Sequence, residues 1–257
     1  MRAYYSGKTF SSENVWFEGF NSCDEIKNIK TSADTVNIYA NPVELTGSGL
    51  SSKKQYTLIN DIGDKSDEAL MQDFSSTARN EIRRGEREGV SAKIYSSGEI
   101  LNDSSVLERM AEFYTNMYKE KGIENAFLPI GELLSYAKAN ALVISTASID
   151  GAEVVFHSYV FEGDNTRLLH SCSEFRVADN NTRNAIGRAN KFLHYADIKY
   201  FRDLGVKLYD WGGLSSVETP NGIDKFKMSF GGETVAYYNL IYTKSLKKKL
   251  FDKILKK

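Results

Sequence analysis

The apolar and polar positions in the middle of the chain alternate with the period of a β-strand. Four stretches show this pattern: 55–61, 141–149, 152–162 and 166–173. The last three follow one another closely, with an Asp150–Gly151 pair and a second turn at residues 163–165 between them. Because such turns favour tight hairpins, the pattern predicts an antiparallel meander of three strands.

Apolar residues three or four positions apart predict helices before and after the meander. Residues 64–89 fit one helix, with Asp67 as its N-cap and Gly89 as the glycine that closes it. Three further segments have the same period: 103–122, 129–140 and 181–205. Short strands are predicted at 206–211 and 233–243, and the glycine-rich residues between them are expected to form a loop.

This order of elements predicts an α+β fold with a mixed, mostly antiparallel sheet flanked by helices. Two short β-like runs, at residues 15–20 and 36–45, precede it. We therefore expect three regions along the chain. They are an N-terminal β-rich extension (1–54), a main domain (55–243) and a basic amphipathic helix at the end (244–257).

The composition is that of an ordinary globular protein. Of the 257 residues, 41% are hydrophobic and 26% are charged. No apolar run approaches the roughly 20 residues that a helix needs to cross a bilayer. The first residues also lack the continuous apolar region of a signal peptide. A cytoplasmic location is therefore expected.

Cysteine and histidine are too scattered to indicate a metal site. Cys23 and Cys172 stand alone, and the three histidines, His157, His170 and His194, form no spaced motif. The serine-nucleophile elbow, the ATP phosphate loop and the zinc-protease motif are absent as well. We therefore expect no metal, and hydride transfer and ATP-driven chemistry have little support.

The net charge of −1 is unevenly distributed. Residues 244–257 hold seven lysines and one aspartate, a charge of +6, so the remainder carries −7. This negative charge argues against binding of DNA or another polyanion by the part of the chain before residue 244. Leucine and isoleucine recur every four residues in the lysine-rich segment, which predicts an amphipathic helix on an anionic membrane or on a partner. The alternative is a helix that docks its leucines on the protein core.

Two basic or small-residue motifs are candidates for binding an anionic donor. The first is the NAIGRA segment near the start of the long helix, where small residues let a phosphate approach free N–H groups. Its four candidate residues are Asn184, Gly187, Arg188 and Ala189. The second is the pair Arg83 and Arg84, since arginine suits phosphate and carboxylate. The alternatives are helix–sheet packing for the first motif and surface charge paired with Glu86 or Glu88 for the second.

His157 lies in the middle of a predicted strand, with apolar neighbours on both sides. A buried neutral histidine can accept a proton from an attacking amine, so His157 is a candidate catalytic residue. The alternative is a hydrogen-bonded histidine of the core. The same two interpretations apply to His194 on the long helix.

Two sequence blocks resemble the Fem-type transferases. YTLINDIGDKSDEALMQDFSSTARNEIRRGEREGV is similar to their segment in which a strand ending in Asp leads to a helix with an R-x-x-IR pattern and a closing GV. YDWGGL followed by GIDKFKMSFGGE resembles their YDxGGI and GIxxFKxxFGG blocks. The similarity spans residues 55–243, and it implies a GNAT-like (acyl-CoA N-acyltransferase) fold. Residues 1–54 would then be an extension or a partial second GNAT-like half.

The resemblance also implies a set of site residues. Lys227, preceded by Phe226, is expected to lie beside the phosphate or acyl groups and to stabilise the oxyanion. Asp210, a candidate catalytic residue, and Tyr209, a candidate for substrate binding, are expected to act as orienting groups at the end of a strand. Gly212 and Gly213, also candidates for substrate binding, would let the backbone turn there. Glycine-rich turns with lysines in solvent remain the alternative.

The activity that the resemblance implies is acyl transfer to an amine without a metal. Fem-type ligases use aminoacyl-tRNA, but they have two GNAT-like halves and often a helical arm that this chain lacks. We therefore expect acyl-CoA as the donor, with aminoacyl-tRNA as the first alternative and a non-catalytic binding module as the second. The expected acceptor is an amino sugar or peptide of a nucleotide- or lipid-linked cell-envelope or polysaccharide precursor.

Overall fold

The computed structural model describes residues 1–174 and 179–255. The chain divides into two units, one of Met1–Thr57 with Thr234–Lys257 and the other of Leu58–Glu233. The predicted boundary at residue 243 is therefore replaced by one at 233, and residues 234–257 belong with the N-terminal region. The last two lysines of the predicted terminal helix, 256–257, lie outside the described residues.

Within the described residues there are ten strands and nine helices. The strands are β1 (Arg2–Ser6), β2 (Ser11–Trp16), β3 (Thr35–Asn41), β4 (Leu50–Asp61), β5 (Ser91–Tyr95), β6 (Leu142–Ile149), β7 (Ala152–Glu162), β8 (Asn165–Ser173), β9 (Leu208–Asp210) and β10 (Glu233–Thr243). The helices are α1 (Cys23–Lys27), α2 (Asp67–Asp73), α3 (Ser76–Arg87), α4 (Ser97–Asn102), α5 (Ser105–Lys119), α6 (Ile130–Lys138), α7 (Asn180–Asp203), α8 (Gly222–Met228) and α9 (Leu246–Leu255).

The second unit contains a mixed sheet in the order β4-β9-β8-β7-β6-β5. β6, β7 and β8 form the predicted antiparallel meander, while β8 and β9 run parallel. Positive φ angles of 50° at Asp150 and 82° at Gly151 make the tight turn between β6 and β7. The prediction of a mixed, mostly antiparallel sheet with helices is confirmed.

Helices cover both faces of this sheet. On one face, residues of α3 and α7 pack with the sheet in a single core: Ala78, Ile82, Val143, Tyr159, Leu168, Ile198 and Phe201. On the other face, the Phe113 ring of α5 lies 4.8 Å from the Phe156 ring of β7, measured between centroids. Because neighbouring strand residues point to opposite faces, each strand supplies side chains to both layers.

The segment predicted as one helix at 64–89 is two helices. Phe74 is extended, with ψ 150°, and the Ser75 side chain then accepts from the Ala78 N–H to begin α3. The N-cap of α2 is Ser66, whose side chain accepts from the Ala69 N–H, so the prediction of Asp67 as the N-cap is wrong. Gly89 follows the C-cap of α3 with φ +79°, as predicted.

The first unit has its own core. β1 and β2 form an antiparallel hairpin, β2 runs parallel to β3, and β3 pairs antiparallel with β10. The buried apolar residues of this unit come from both ends of the chain: Val15, Phe20, Ile26, Ile29, Val36, Ile38, Leu45 and Leu240. This shared core explains why β10 groups with the N-terminal residues and not with the main domain.

Helix α9 presents an apolar row to solvent. Leu246, Leu250 and Ile254 are 76%, 63% and 71% exposed. The alternative interpretation of the sequence, in which the helix docks its apolar residues on the core, is therefore wrong. The Phe251 ring packs against the Phe10 ring with centroids 5.1 Å apart, which holds one side of the helix in place. Across the described residues, no helix has the length and apolar character needed to cross a membrane.

Candidate functional site

A cavity of about 310 Å³ in the second unit brings together residues from three helices, β8 and the segment after α5. Its lining residues are Met117, Lys121, Leu168, Ser171, Ser173, Ile186, Gly187, Asn190, His194, Gly222, Ile223, Phe226 and Lys227. Larger grooves lie elsewhere, including one of about 680 Å³. We favour the smaller cavity as the functional site because Gly187, Phe226 and Lys227, three predicted site residues, meet there.

Helix α8 positions Lys227, and the sequence interpretation missed this helix. Asn221 caps it by accepting from the N–H groups of Ile223 and Asp224. The buried Asp224 carboxylate returns the contact by accepting from the Asn221 N–H and from Ser215. Because both ends of this capping box are occupied, the first turn of α8 is fixed and Lys227 follows one turn later.

The Lys227 ammonium is held by main-chain carbonyls. Its Nζ donates to Gly212 O at 2.6 Å and to Gly213 O at 2.7 Å. Gly212 has φ +62°, and a Cβ there would lie 2.4 Å from Leu168 O, so only glycine fits. The glycine pair therefore does more than turn the backbone, since its carbonyls orient the lysine at the cavity wall.

The surroundings of Lys227 lower the pKa of its ammonium group. Burial lowers the pKa of Lys227 to about 8, and Asp210 opposes that shift while Arg167 adds to it. Asp210 Oδ2 accepts from Arg167 Nη1 at 2.7 Å, and its Oδ1 accepts from the Gly212 N–H at 2.8 Å. Asp210 thus orients the glycine loop, a positioning role, and Arg167 is a partner that the sequence interpretation missed.

A buried hydrogen-bonded network lies behind the cavity. Tyr209 Oη is 2.8 Å from Tyr159 Oη and 3.0 Å from His194 Nδ1. Tyr159 Oη donates to Asp197 Oδ2 at 2.6 Å, and His157 Nδ1 lies 2.8 Å from the same oxygen. Burial raises the pKa of both tyrosines well above the usual value, so both stay neutral. The expectation that Tyr209 orients a substrate is therefore corrected: its hydroxyl is engaged in this network.

His157 belongs to the network and not to the cavity wall. It is fully buried, with Nδ1 on Asp197 and Nε2 2.9 Å from Asn190 Oδ1. Because both ring nitrogens are engaged, His157 has none left for a substrate. The prediction of His157 as the proton acceptor is corrected on this ground, and the core-histidine alternative is the one that the geometry supports.

Atoms of His157, His194 and Asp197 that are able to bind a metal lie within 4.8 Å of one another. The two imidazole rings stack with centroids 4.0 Å apart and planes 28° apart, so their lone pairs run side by side and do not converge. The contact between His157 and Asp197 has the length of a hydrogen bond. These three residues therefore fit a proton-linked network better than a metal site.

The NAIGRA segment is not at the start of its helix. α7 begins at Asn180, and its N-cap Asp179 already accepts from the N–H groups of Asn181 and Thr182. Residues 184–189 lie in the second and third turns, where the N–H groups bond within the helix. The expectation of free N–H groups for a phosphate at this segment is therefore wrong.

The four residues of that motif have separate surroundings. Gly187 lines the cavity, whereas Ala189 is fully buried in a cluster with Val90 and Val155. Arg188 donates from Nε to Glu88 Oε2 at 2.6 Å, and Asn184 is exposed. Cofactor binding by Gly187 stays a prediction that the geometry allows, while the geometry of Ala189 supports the packing alternative.

Arg83 and Arg84 do not line the cavity. Both are exposed, and Arg84 Nε donates to Glu88 Oε1 at 2.8 Å, which is the surface pairing that the sequence left open. Arg83 lines the groove of about 680 Å³, together with Arg79 and Tyr195. That Arg83 and Arg84 bind a substrate stays a prediction. Arg83 would bind it in the groove of about 680 Å³ and not in the candidate cavity.

Comparison with solved structures identifies the fold. FemX superposes with a TM-score of 0.65 at 16% identity, covering 98% of this chain and 86% of FemX. The chain has the GNAT-like fold of FemX. The predicted α+β, GNAT-like architecture and the Fem-type resemblance are thereby confirmed at the level of fold.

Two further structures share this GNAT-like fold. One is the C-terminal domain of a protein named as a lysylphosphatidylglycerol synthetase from Agrobacterium fabrum, with a TM-score of 0.57, 11% identity and coverage of 97% and 82%. The other is L-PGS from Bacillus licheniformis, with a TM-score of 0.52, 17% identity and coverage of 97% and 83%. No protein-family model matches the sequence, and the search of curated proteins gives no match. At these identities the likeness is one of fold.

Proposed function

We propose that this protein is an N-acyltransferase that moves an acyl group from acyl-CoA to an amine. The observation that carries the proposal is Lys227, a desolvated lysine at the wall of a cavity in a GNAT-like fold. Two of its three N–H donors bind the carbonyls of Gly212 and Gly213. The third N–H is available to the oxygen of a reacting carbonyl.

The reaction proceeds by attack of the amine on the thioester carbonyl. Negative charge develops on the carbonyl oxygen, and a fixed cation in a partly dry cavity stabilises that charge more than water does. Because the main chain holds Lys227 before the substrate arrives, little reorganisation accompanies the reaction. The acceptor that we propose is an amino sugar or peptide amine on a nucleotide- or lipid-linked cell-envelope or polysaccharide precursor.

Aminoacyl-tRNA is the alternative donor. One structure with the same fold is named as a domain of a lysylphosphatidylglycerol synthetase, a name that refers to a lipid carrying a lysyl group. Any grip on tRNA would rest on the lysines of α9, since the remainder of the chain carries a charge of −7. We favour acyl-CoA on this charge balance, in a protein of the cytoplasm that reaches the inner membrane face through α9.

A transfer assay on Lys227→Ala tests the proposal. Purified protein is incubated with acyl-CoA or charged tRNA and a panel of amines, and products are detected by mass spectrometry. Loss of the cation should lower kcat by about 10²–10³-fold. Lys225→Ala is the matched control, because Lys225 is an exposed lysine of the same helix that does not line the cavity.

Three outcomes would contradict parts of the proposal. Wild-type rates in Lys227→Ala would remove Lys227 from catalysis. Transfer from charged tRNA alone would exclude acyl-CoA as the donor. A wild-type protein that binds acyl-CoA or an amine but transfers nothing would favour a non-catalytic binding module.

A further inference from the structure

The hydrogen bonds behind the cavity have one consistent direction. Asp197, as a carboxylate, only accepts, and Tyr159 Oη gives it its single proton at 2.6 Å. Tyr159 Oη must then accept from Tyr209 Oη at 2.8 Å, and Tyr209 Oη in turn accepts from His194 Nδ1 at 3.0 Å. The carboxylate therefore requires a proton on Nδ1 of His194, although two tyrosines separate the two groups.

With the proton on Nδ1, the other ring nitrogen of His194, Nε2, is unprotonated and has a free lone pair. A neutral imidazole carries one N–H, so Nε2 is then an acceptor. His194 lines the cavity, and within residues 1–174 and 179–255 its Nε2 has no hydrogen-bond partner. Stacking on His157 and packing against Trp211 and Phe226 fix the plane of the ring.

We infer that His194 is a further catalytic residue, the general base that takes the proton of the acceptor amine at Nε2. This inference rests on the proposed transferase function. His194 and Lys227 line the same cavity, so one residue can receive the proton while the other faces the oxyanion. Asp197, Tyr159 and Tyr209 are positioning residues, because they act through His194.

The proposed step balances without a further reagent. The amine nitrogen bonds to the carbonyl carbon, and its proton passes to His194 Nε2. The carbon–sulfur bond of the thioester then breaks as the amide forms. The leaving thiolate takes the proton back from Nε2, which releases free thiol and restores the base.

Several charged and titratable groups surround His194. They come from each element packed against it: His157 and Tyr159 of β7, Tyr209 of β9, Asp197 of α7 and Lys227 of α8. Burial first, and then the charges of His157 and Lys227, hold the pKa of His194 well below its usual value. The imidazole is therefore unprotonated near neutral pH, which a base requires.

Kinetics of His194→Gln test the inference. We expect kcat to fall by about 10²–10⁴-fold with little change in KM, because glutamine cannot accept the proton. His194→Ala should regain part of its rate with added imidazole, more so as pH rises through the imidazole pKa. His170→Gln is the matched control, since His170 bonds Ser158 and packs on Tyr114 at the other face of the sheet.

A second measurement requires no activity, and its main result comes from the wild-type protein. Nitrogen NMR of the wild-type protein with labelled histidine should show His194 protonated at Nδ1 and bare at Nε2 near pH 7. Tyr209→Phe removes the acceptor of the Nδ1 proton, so the opposite tautomer should gain population. A proton on Nε2 in the wild type would overturn the inference.

The two proposals fail in distinguishable ways. If the wild type is active and His194→Gln has the same kcat, His194 is not the general base, while the proposed transferase activity stands. A wild type that transfers no acyl group from either donor would overturn the transferase, and the base assignment with it, whatever tautomer the spectrum shows.

Discussion

Lys227 is a cation over a narrower pH range than an ordinary lysine. Burial lowers its pKa to about 8, so in the folded protein about half of the molecules lose the charge near that pH. If the charge stabilises the oxyanion, kcat/KM should decline above pH 8. Lys227→Arg keeps its charge because a guanidinium stays protonated throughout the accessible pH range, so its profile should stay level there. The measurement is kcat/KM against pH for both proteins, and identical alkaline limbs would contradict the role of the charge.

Because Gly212 has no side chain, the loop that holds Lys227 can pack closely against Leu168. We predict that Gly212→Ala lowers both stability and kcat, because the new Cβ displaces the loop that holds Lys227. Gly163→Ala is the matched control, since Gly163 also has positive φ but has open space around it. The control should cost about 1–2 kcal/mol from the left-handed backbone alone. Urea denaturation measures the free energy of unfolding of both variants. An equal loss in Gly212→Ala and Gly163→Ala would show that the new Cβ at residue 212 avoids Leu168 O with little loss of stability.

At the scale of elements, the sequence allowed prediction of the long or regular elements and missed the short ones. β7 extends over Ala152–Glu162, as its alternation predicts, because eleven residues are enough to show a period. α8 has seven residues, too few for a periodic signal in a stretch (210–233) that contains five glycines. Its capping pair, Asn221 and Asp224, was the local signal for a helix start.

Helix α9 is the element for which we predict an interaction surface. Its exposed Leu246, Leu250 and Ile254 lie among lysines, which is the arrangement of a helix that rests on an anionic bilayer. The protein should cosediment with vesicles of phosphatidylglycerol and phosphatidylcholine, less so at high salt, and not with phosphatidylcholine alone.

The control for this surface is another exposed leucine. Leu250→Ser and Ile254→Ser should weaken sedimentation, whereas Leu204→Ser, at a position 51% exposed in the other unit, should not. Equal sedimentation of all three variants would show that binding, if present, involves charge without the apolar row of α9.

At the scale of the molecule, sequence reasoning identified the fold and part of the site. Phe226 and Lys227 were found because the block that contains them resembles the GIxxFKxxFGG block of the Fem-type transferases. The network of Tyr159, His194 and Asp197 was not found, since its members are apart in sequence and meet only when β7 packs on α7. Exclusion of His157 likewise required the positions of Asn190 and Asp197, which no spacing in one strand reveals.

The division of the chain also has a consequence for the order of events on the ribosome. The first unit takes its core from residues before 58 and from β10, so its early strands must wait for Leu240 to be translated. The second unit, residues 58–233, is one continuous stretch, and its last residue is translated before Leu240. During synthesis the unit with the cavity should therefore acquire structure first, and the N-terminal strands remain exposed to chaperones in the meantime.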